Sequence, residues 1–141
     1  MTGQVFSGSY REQALGAGGR FDSWLLTCAF HVLESASPAQ GLQRLEALQQ
    51  ARYVAGLDVG NAAVLADIAI QQGMARAAFL QALSTADTAR AVQQRMAAVR
   101  AAMRAVGVLG VPALIARTRD GLRLIPSLYD AASLAQIGVE I

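Results

Sequence analysis

Cysteine is almost absent from this sequence of 141 residues, in which Cys28 is the only one. A single cysteine excludes an internal disulfide and any Cys-x-x-Cys redox pair within the chain. Histidine is equally scarce, and Cys28 with His31 falls short of the four ligands that structural zinc needs. The glycines of residues 16–19 lack the preceding strand that a phosphate-binding loop requires. The sequence therefore predicts no catalytic residue, no metal and no cofactor in this stretch.

Lysine is absent altogether, and long apolar runs are absent as well. The twelve basic residues are all arginines, and with ten carboxylates they give a net charge of +2. These charges are dispersed along the chain, which argues against a nucleic-acid-binding protein. No apolar run reaches the length of a membrane span, and residues 1–8 carry no signal-peptide pattern. We therefore expect a cytoplasmic protein without nucleic-acid or membrane partners.

Helix signals follow one another through the first 106 residues. Capping residues, prolines and glycines predict helices over 24–33, from Ser37-Pro38 to Ala55-Gly56, from Asn61 to Gly73, over 74–83, and from Ser84 or Thr85 to Val106. Residues 5–15 allow one more helix. The second helix presents one apolar face, formed by Leu42, Leu45 and Leu48. The longest helix carries a stripe with spacings of 4 and 3 that includes Met96 and Met103, which we expect in the core. Its arginines are expected on the solvated flank: Arg90, Arg95, Arg100 and Arg104.

The first of these helices carries both Cys28 and His31, three residues apart on one face. One interpretation is a Cys–His pair in which the imidazole activates the thiol. The other is that Cys28 is a small buried hydrophobe and His31 a partly buried, hydrogen-bonded side chain. Because the helix is apolar nearly all round, we expect it to be buried on every side. That favours the second interpretation.

The apolar periodicity changes after residue 112. Two apolar runs, 113–117 and 122–125, flank Thr118-Arg119-Asp120-Gly121, and an Asp-Gly pair between such runs predicts a β-hairpin. Pro126 ends the second strand, and residues 127–136 are predicted to form a short closing helix. Helices followed by a hairpin and one more helix predict a mostly helical α+β fold.

The segment between the longest helix and the hairpin reads Gly107-Val-Leu-Gly-Val-Pro-Ala-Leu114. It resembles the cis-proline loop of the DsbA-type thiol-disulfide oxidoreductases of the thioredoxin superfamily. Two further runs, 48–58 and 64–73, together with Phe79 are similar to the bacterial subgroup described as predicted protein-disulfide isomerases. The resemblance extends over residues 9–137.

This resemblance implies an arrangement of the whole chain. Residues 1–84 would be the helical insertion domain, and residues 85–141 the C-terminal half of a thioredoxin-like fold, with the long helix, the cis-proline loop, the hairpin and the closing helix. Both parts are expected to form one compact unit. The family's Cys-x-x-Cys would lie upstream of Met1, so the chain as given is expected to be redox-inactive.

The same resemblance implies a binding role for Gly110, Val111 and Pro112. Their backbone would hold an extended protein or peptide substrate, with the Val111–Pro112 bond in cis; the alternative is an ordinary proline at the entry of a strand. The hydrophobic content of 54% predicts an apolar surface that a second copy of the chain covers. Two other functions stay open, namely a non-catalytic helical module that binds proteins or peptides, and a relative of glutathione-linked isomerases and transferases.

Overall fold

The computed structural model describes residues 23–110, 113–126 and 135. The chain divides into two compact units, Met1–Val92 and Gln93–Ile141, so the division falls within the longest helix. The boundary expected between residues 84 and 85 stays a prediction, as does a single compact unit. Three predicted features lie outside the described residues: the helix allowed at 5–15, the cis bond at Val111–Pro112, and the closing helix over 127–136, of which residue 135 alone is described.

The described residues form five α-helices and one β-hairpin, which confirms the predicted mostly helical α+β fold class. The helices are α1 (Trp24–Ala36), α2 (Gly41–Tyr53), α3 (Ala62–Gln71), α4 (Arg76–Leu83) and α5 (Ala86–Ala105), with a 3₁₀ turn over Pro38–Gln40 between α1 and α2. The strands are β1 (Leu114–Thr118) and β2 (Gly121–Ile125).

Local chemistry sets several of the helix ends, as the sequence predicted. The side chain of Asn61 accepts a hydrogen bond of 2.9 Å from the Ala63 N–H and so caps α3. The hydroxyl of Thr85 accepts from the Thr88 N–H at 3.1 Å, which identifies Thr85 rather than Ser84 as the residue that starts α5. Gly73 follows α3 with a φ of +83°, a conformation that glycine adopts without strain.

We call the first unit, Met1–Val92, the helical unit. Its described helices share one apolar core. Helix α1 packs against α2, α3 and α4, and α3 packs against α2 and α4. The core cluster draws on all four helices, and its largest fully buried side chains are Phe79, Leu33, Leu48 and Leu65. Burial of each such side chain contributes about 1.5–3 kcal/mol relative to its exposure to water.

Burial differs from the prediction in three helices. Helix α1 buries one face rather than its whole circumference, since Trp24 and Phe30 are half-buried while Ala29 and Leu33 are almost fully buried. In α2 the expected position of Leu42 is wrong, because this side chain is 85% exposed. In α5 the apolar stripe is buried at Val92 and about half-exposed at Val99. Apolar spacing thus identified these helices but not how far each neighbour covers them.

A buried arginine in α2 explains why Leu42 is exposed rather than buried. Arg44 is 8% exposed and lies on the same face as Leu48 and Ala51, with spacings of 4 and 3. Leu42 precedes Arg44 by two positions, which places it on nearly the opposite side of the helix. The Arg44 guanidinium donates through Nη1 to the carbonyl of Gln72, at the end of α3, and through Nη2 to Gln40 Oε1 at 2.6 Å. Arg44 therefore joins α2 to the C-terminus of α3.

The β-hairpin confirms the prediction from Asp-Gly, with a difference in the turn. Thr118 lies opposite Gly121, so the loop residues are Arg119 and Asp120. No described residue other than glycine has a positive φ, and Gly121 takes a φ of +118° as the first residue of β2. The glycine therefore supplies the backbone conformation that lets the chain leave the turn and enter β2. The Thr118 hydroxyl donates to the Gly121 carbonyl at 3.0 Å.

Candidate functional site

The loop between α5 and the hairpin is shaped by the way α5 ends. Gly107 has a φ of +72°, and the N–H of Val108 donates to the carbonyl of Met103 at 2.9 Å. This bond spans six residues, as in a Schellman motif, and turns the chain away from the helix axis. Leu109 is 99% exposed, and a Cβ at Gly110 would meet no atom within 4 Å. The loop therefore presents open backbone beside an exposed apolar side chain.

The hairpin that follows is also exposed. In the part of the chain that the structure describes, the sheet has two strands, so neither β1 nor β2 has a second neighbouring strand there. Leu114 is 39% exposed and Leu124 is 37% exposed, whereas Ile125 is buried at 4%. We call residues 107–110 with 113–126 the loop–hairpin segment. It combines strand edges that pair with no further described strand with exposed leucines, as a surface for an extended peptide requires.

Of the three substrate-binding residues expected from the resemblance, Gly110 lies in this loop and is exposed. Val111 and Pro112 lie outside the described residues, between Gly110 and the start of β1. Their contact with a substrate, and the cis bond between them, stay predictions.

Cys28 is the one thiol of the chain, and its surroundings are those of a structural cysteine. It is 3% exposed, on the buried face of α1 with Ala29 and Val32. Burial raises the pKa of the Cys28 thiol. His31 is half-buried on the same helix, and no hydrogen bond joins its ring to this thiol. A reactive cysteine needs an accessible thiolate, so the structure favours the buried-hydrophobe interpretation over an activated Cys–His pair.

The raised pKa predicts how stability depends on pH. Above the ordinary thiol value of 9.0 the unfolded chain loses the Cys28 proton before the folded chain does. The stabilising contribution is therefore complete below that value and is lost as pH rises through the folded-state pKa. Urea unfolding between about pH 8 and about pH 10 should show a steeper loss of stability in the wild type than in Cys28→Ala. Parallel losses in the two proteins would contradict a desolvated thiol.

The helical unit contains a second surface that the sequence did not indicate. A groove of about 520 Å³ lies between α2 and α3 and extends to the loop after α2. Its lining is mostly apolar, with Ala51, Val54, Leu57, Val64 and Ile68 among the contributors. Val54 and Leu57 are also exposed at 45% and 44%. No spacing rule identifies such a groove, because it depends on how closely two helices approach.

Two features are absent from the described residues. There, no group of three or more His, Cys, Asp or Glu side chains is placed to hold a metal ion. No described helix is both long enough and apolar enough to cross a membrane.

Comparison with known proteins gives further evidence about the fold. No protein-family model matches the sequence, and no curated protein matches it. The chain is similar to the crystal structure of a "putative protein disulfide isomerase from Nitrosomonas europaea", with 26% identity and a TM-score of 0.72. The superposition covers 96% of this chain and 64% of that protein. This chain thus spans less than two thirds of the length of the protein it matches.

The similarity extends over both the helices and the hairpin, since nearly the whole chain is covered. It supports a thioredoxin-like fold of DsbA type for this chain, and the order of long helix, loop and hairpin is consistent with the C-terminal half of such a fold. In structure, the chain is thus related to proteins of the thiol-disulfide oxidoreductase type.

Proposed function

We propose that this chain supplies the polypeptide-binding part of a DsbA-family, disulfide-isomerase-like protein, and that it carries no redox centre of its own. The observation that carries the proposal is the structural similarity over 96% of the chain to a protein described as a disulfide isomerase. The resemblance of the loop to the cis-proline loop of DsbA-type proteins implies that an extended substrate would lie along Gly110-Val111-Pro112. The exposed backbone at Gly110 and the exposed Leu109 agree with this role.

The cysteine content supports the proposed lack of redox chemistry. Thiol-disulfide exchange proceeds through attack by a thiolate and needs a second thiol to release the mixed disulfide. The chain has one cysteine, which is buried and has a raised pKa. We therefore expect the chain by itself to bind an unfolded polypeptide without accelerating reduction of its disulfides.

A binding assay on a loop variant tests this proposal. A fluorescent, cysteine-free extended peptide is titrated with the wild type, with Pro112→Ala and with Pro38→Ala, and anisotropy gives each dissociation constant. Pro38 is an exposed proline of the 3₁₀ turn, which makes it the matched control. We expect Pro112→Ala to weaken binding about tenfold, a loss of about 1.4 kcal/mol, because alanine does not fix the loop backbone as proline does, while Pro38→Ala leaves binding unchanged. Equal affinities for all three proteins would contradict the proposal.

One observation favours a second candidate function, a non-catalytic helical binding module. The groove between α2 and α3 is apolar, and exposed Val54 and Leu57 line it. An apolar groove of this kind can receive apolar side chains of a partner. If this is the binding surface, substitution in the loop leaves affinity unchanged and Val54→Glu abolishes it.

A self-associated state belongs to the proposal as well. The unneighboured strand edges of the described hairpin and its exposed leucines could be covered by a second copy of the chain. Light scattering at several concentrations would give the mass in solution, and a monomer at all of them would exclude this state.

A further inference from the structure

Charge is distributed unevenly between the described parts of the two units. Residues 93–126 contain six arginines and one carboxylate, Asp120, whereas residues 23–92 contain four arginines and five carboxylates. The two segments therefore carry net charges of +5 and −1. The net charge of +2 for the whole chain, and the spacing of charged residues along the sequence, do not reveal this difference between the two segments.

The hairpin arginines form no ion pair within the part of the chain that the structure describes. The ion pairs found there join Arg76 to Asp67 and Arg90 to Asp87, all in the helical unit. Arg117, Arg119 and Arg123 are exposed and make no ion pair with any described residue. Ten hairpin residues, from 114 to 123, thus present three cations and one carboxylate.

The strand register places these cations beside the exposed leucines. Residues that lie directly opposite each other share a face, and Ala116 lies opposite Arg123 while Leu114 lies opposite Ile125. Arg123 and Leu114 are therefore diagonal neighbours on one face.

The other face of the hairpin has an equivalent pair. There Arg117 lies opposite Leu122, and Ile115 lies opposite Leu124, so Arg117 and Leu124 are diagonal neighbours. Such diagonal positions are about 7–8 Å apart.

We infer that the polypeptide bound at the loop–hairpin segment is an acidic, apolar one, with carboxylates that pair with Arg117 and Arg123 and apolar side chains that contact Leu114 and Leu124. The inference rests on the proposed function, because it specifies the substrate class of the same surface. An extended segment directs alternate side chains to one face, so the preferred ligand carries Asp or Glu two positions from a large apolar residue.

A nucleic acid is the competing anionic ligand, and composition argues against it. Proteins that hold single-stranded nucleic acid combine cations with aromatic side chains on which bases stack. Residues 93–126 contain no phenylalanine, tyrosine or tryptophan. The exposed apolar residues beside the hairpin arginines are leucines, which match aliphatic or aromatic side chains of a peptide better than stacked bases.

Three peptides of equal length test the inference. Each carries a leucine at every fourth position and glutamate, glutamine or lysine midway between successive leucines, and a single-stranded oligonucleotide serves as the fourth ligand. Anisotropy titrations are made with the wild type, with Arg117→Gln/Arg123→Gln, and with Arg90→Gln as the control for an exposed arginine of the helical unit. Because salt screens exposed charges, each titration is repeated at about 0.05 M and about 0.5 M salt.

We expect the glutamate peptide to bind about tenfold more tightly than the glutamine peptide at low salt, which corresponds to two exposed ion pairs of modest strength. The preference should disappear in the double variant and at high salt, and persist in Arg90→Gln. Equal binding of the glutamate and glutamine peptides overturns the inference and leaves the proposed function standing. Tighter binding of the oligonucleotide also overturns it. Failure of every peptide to bind overturns the proposed function as well.

Discussion

Replacement of Phe79 by alanine should lower the free energy of unfolding by about 3–5 kcal/mol, the range found for deletion of a buried aromatic side chain. Phe79 is fully buried, on the short helix α4, in the cluster that α1, α2 and α3 also form. Its removal would leave a cavity in this cluster. Since whole domains are stable by about 5–15 kcal/mol, this single change should remove a large share of the total.

Urea unfolding followed by helical circular dichroism measures this effect. Phe79→Leu keeps most of the volume and should cost less than about 1.5 kcal/mol. Leu42→Ala is the exposed control, and because Leu42 is 85% exposed its effect should stay within about 0.5 kcal/mol. A loss below about 1.5 kcal/mol for Phe79→Ala, or a larger loss for Leu42→Ala, would contradict the core described here.

The second large effect concerns Arg44, whose substitution by alanine should cost about 2–3 kcal/mol. The change leaves the Gln72 carbonyl and the Gln40 side chain without their donors and empties the space of the buried stem. The guanidinium also lies at the C-terminus of α3, where the helix dipole favours a cation. No described carboxylate pairs with Arg44, so these carbonyl and amide contacts are its partners in the described part of the chain.

Two further variants separate packing from hydrogen bonding at this position. Arg44→Met keeps the stem and loses the donors, and because Arg44 Nε is buried without a partner, its removal offsets part of the loss. We expect Arg44→Met to cost about 1 kcal/mol and Arg44→Lys an intermediate amount, since lysine lacks the fork that reaches both Gln72 and Gln40. A methionine variant as unstable as the alanine variant would show that the hydrogen bonds, rather than the packing, are the main contribution.

The sequence predicted those features that depend on a few adjacent residues. Asn61 caps α3, Gly107 ends α5, and Gly121 lets the chain leave the two-residue turn of the hairpin, each through bonds or dihedral angles within six residues of chain. Features that depend on how helices approach one another were predicted less well. Leu42 was expected on the buried face but is exposed, because the carbonyl of Gln72, 28 residues from Arg44, makes burial of that arginine favourable on the opposite face.

In the candidate site, too, the features set by adjacent residues were predicted, whereas those set by strand pairing were not. The order of α5, an exposed loop and a hairpin follows from Gly107, the apolar runs and the turn, and the structure contains all of them. The arginine–leucine diagonals could not be read from the sequence, because they depend on the register that sets Thr118 opposite Gly121. A shift of one residue in that register would bring Arg117 and Arg123 to the same face and would separate each arginine from its leucine.

The central claim is that an extended polypeptide binds at the loop–hairpin segment, and amide chemical-shift mapping tests it most directly. A cysteine-free extended peptide is titrated into the ¹⁵N-labelled chain, and shift changes are assigned residue by residue. The account predicts changes concentrated in residues 107–126, with Gly110 among the largest. Changes concentrated in residues 47–71, along the groove between α2 and α3, or no change at saturating peptide, would contradict it.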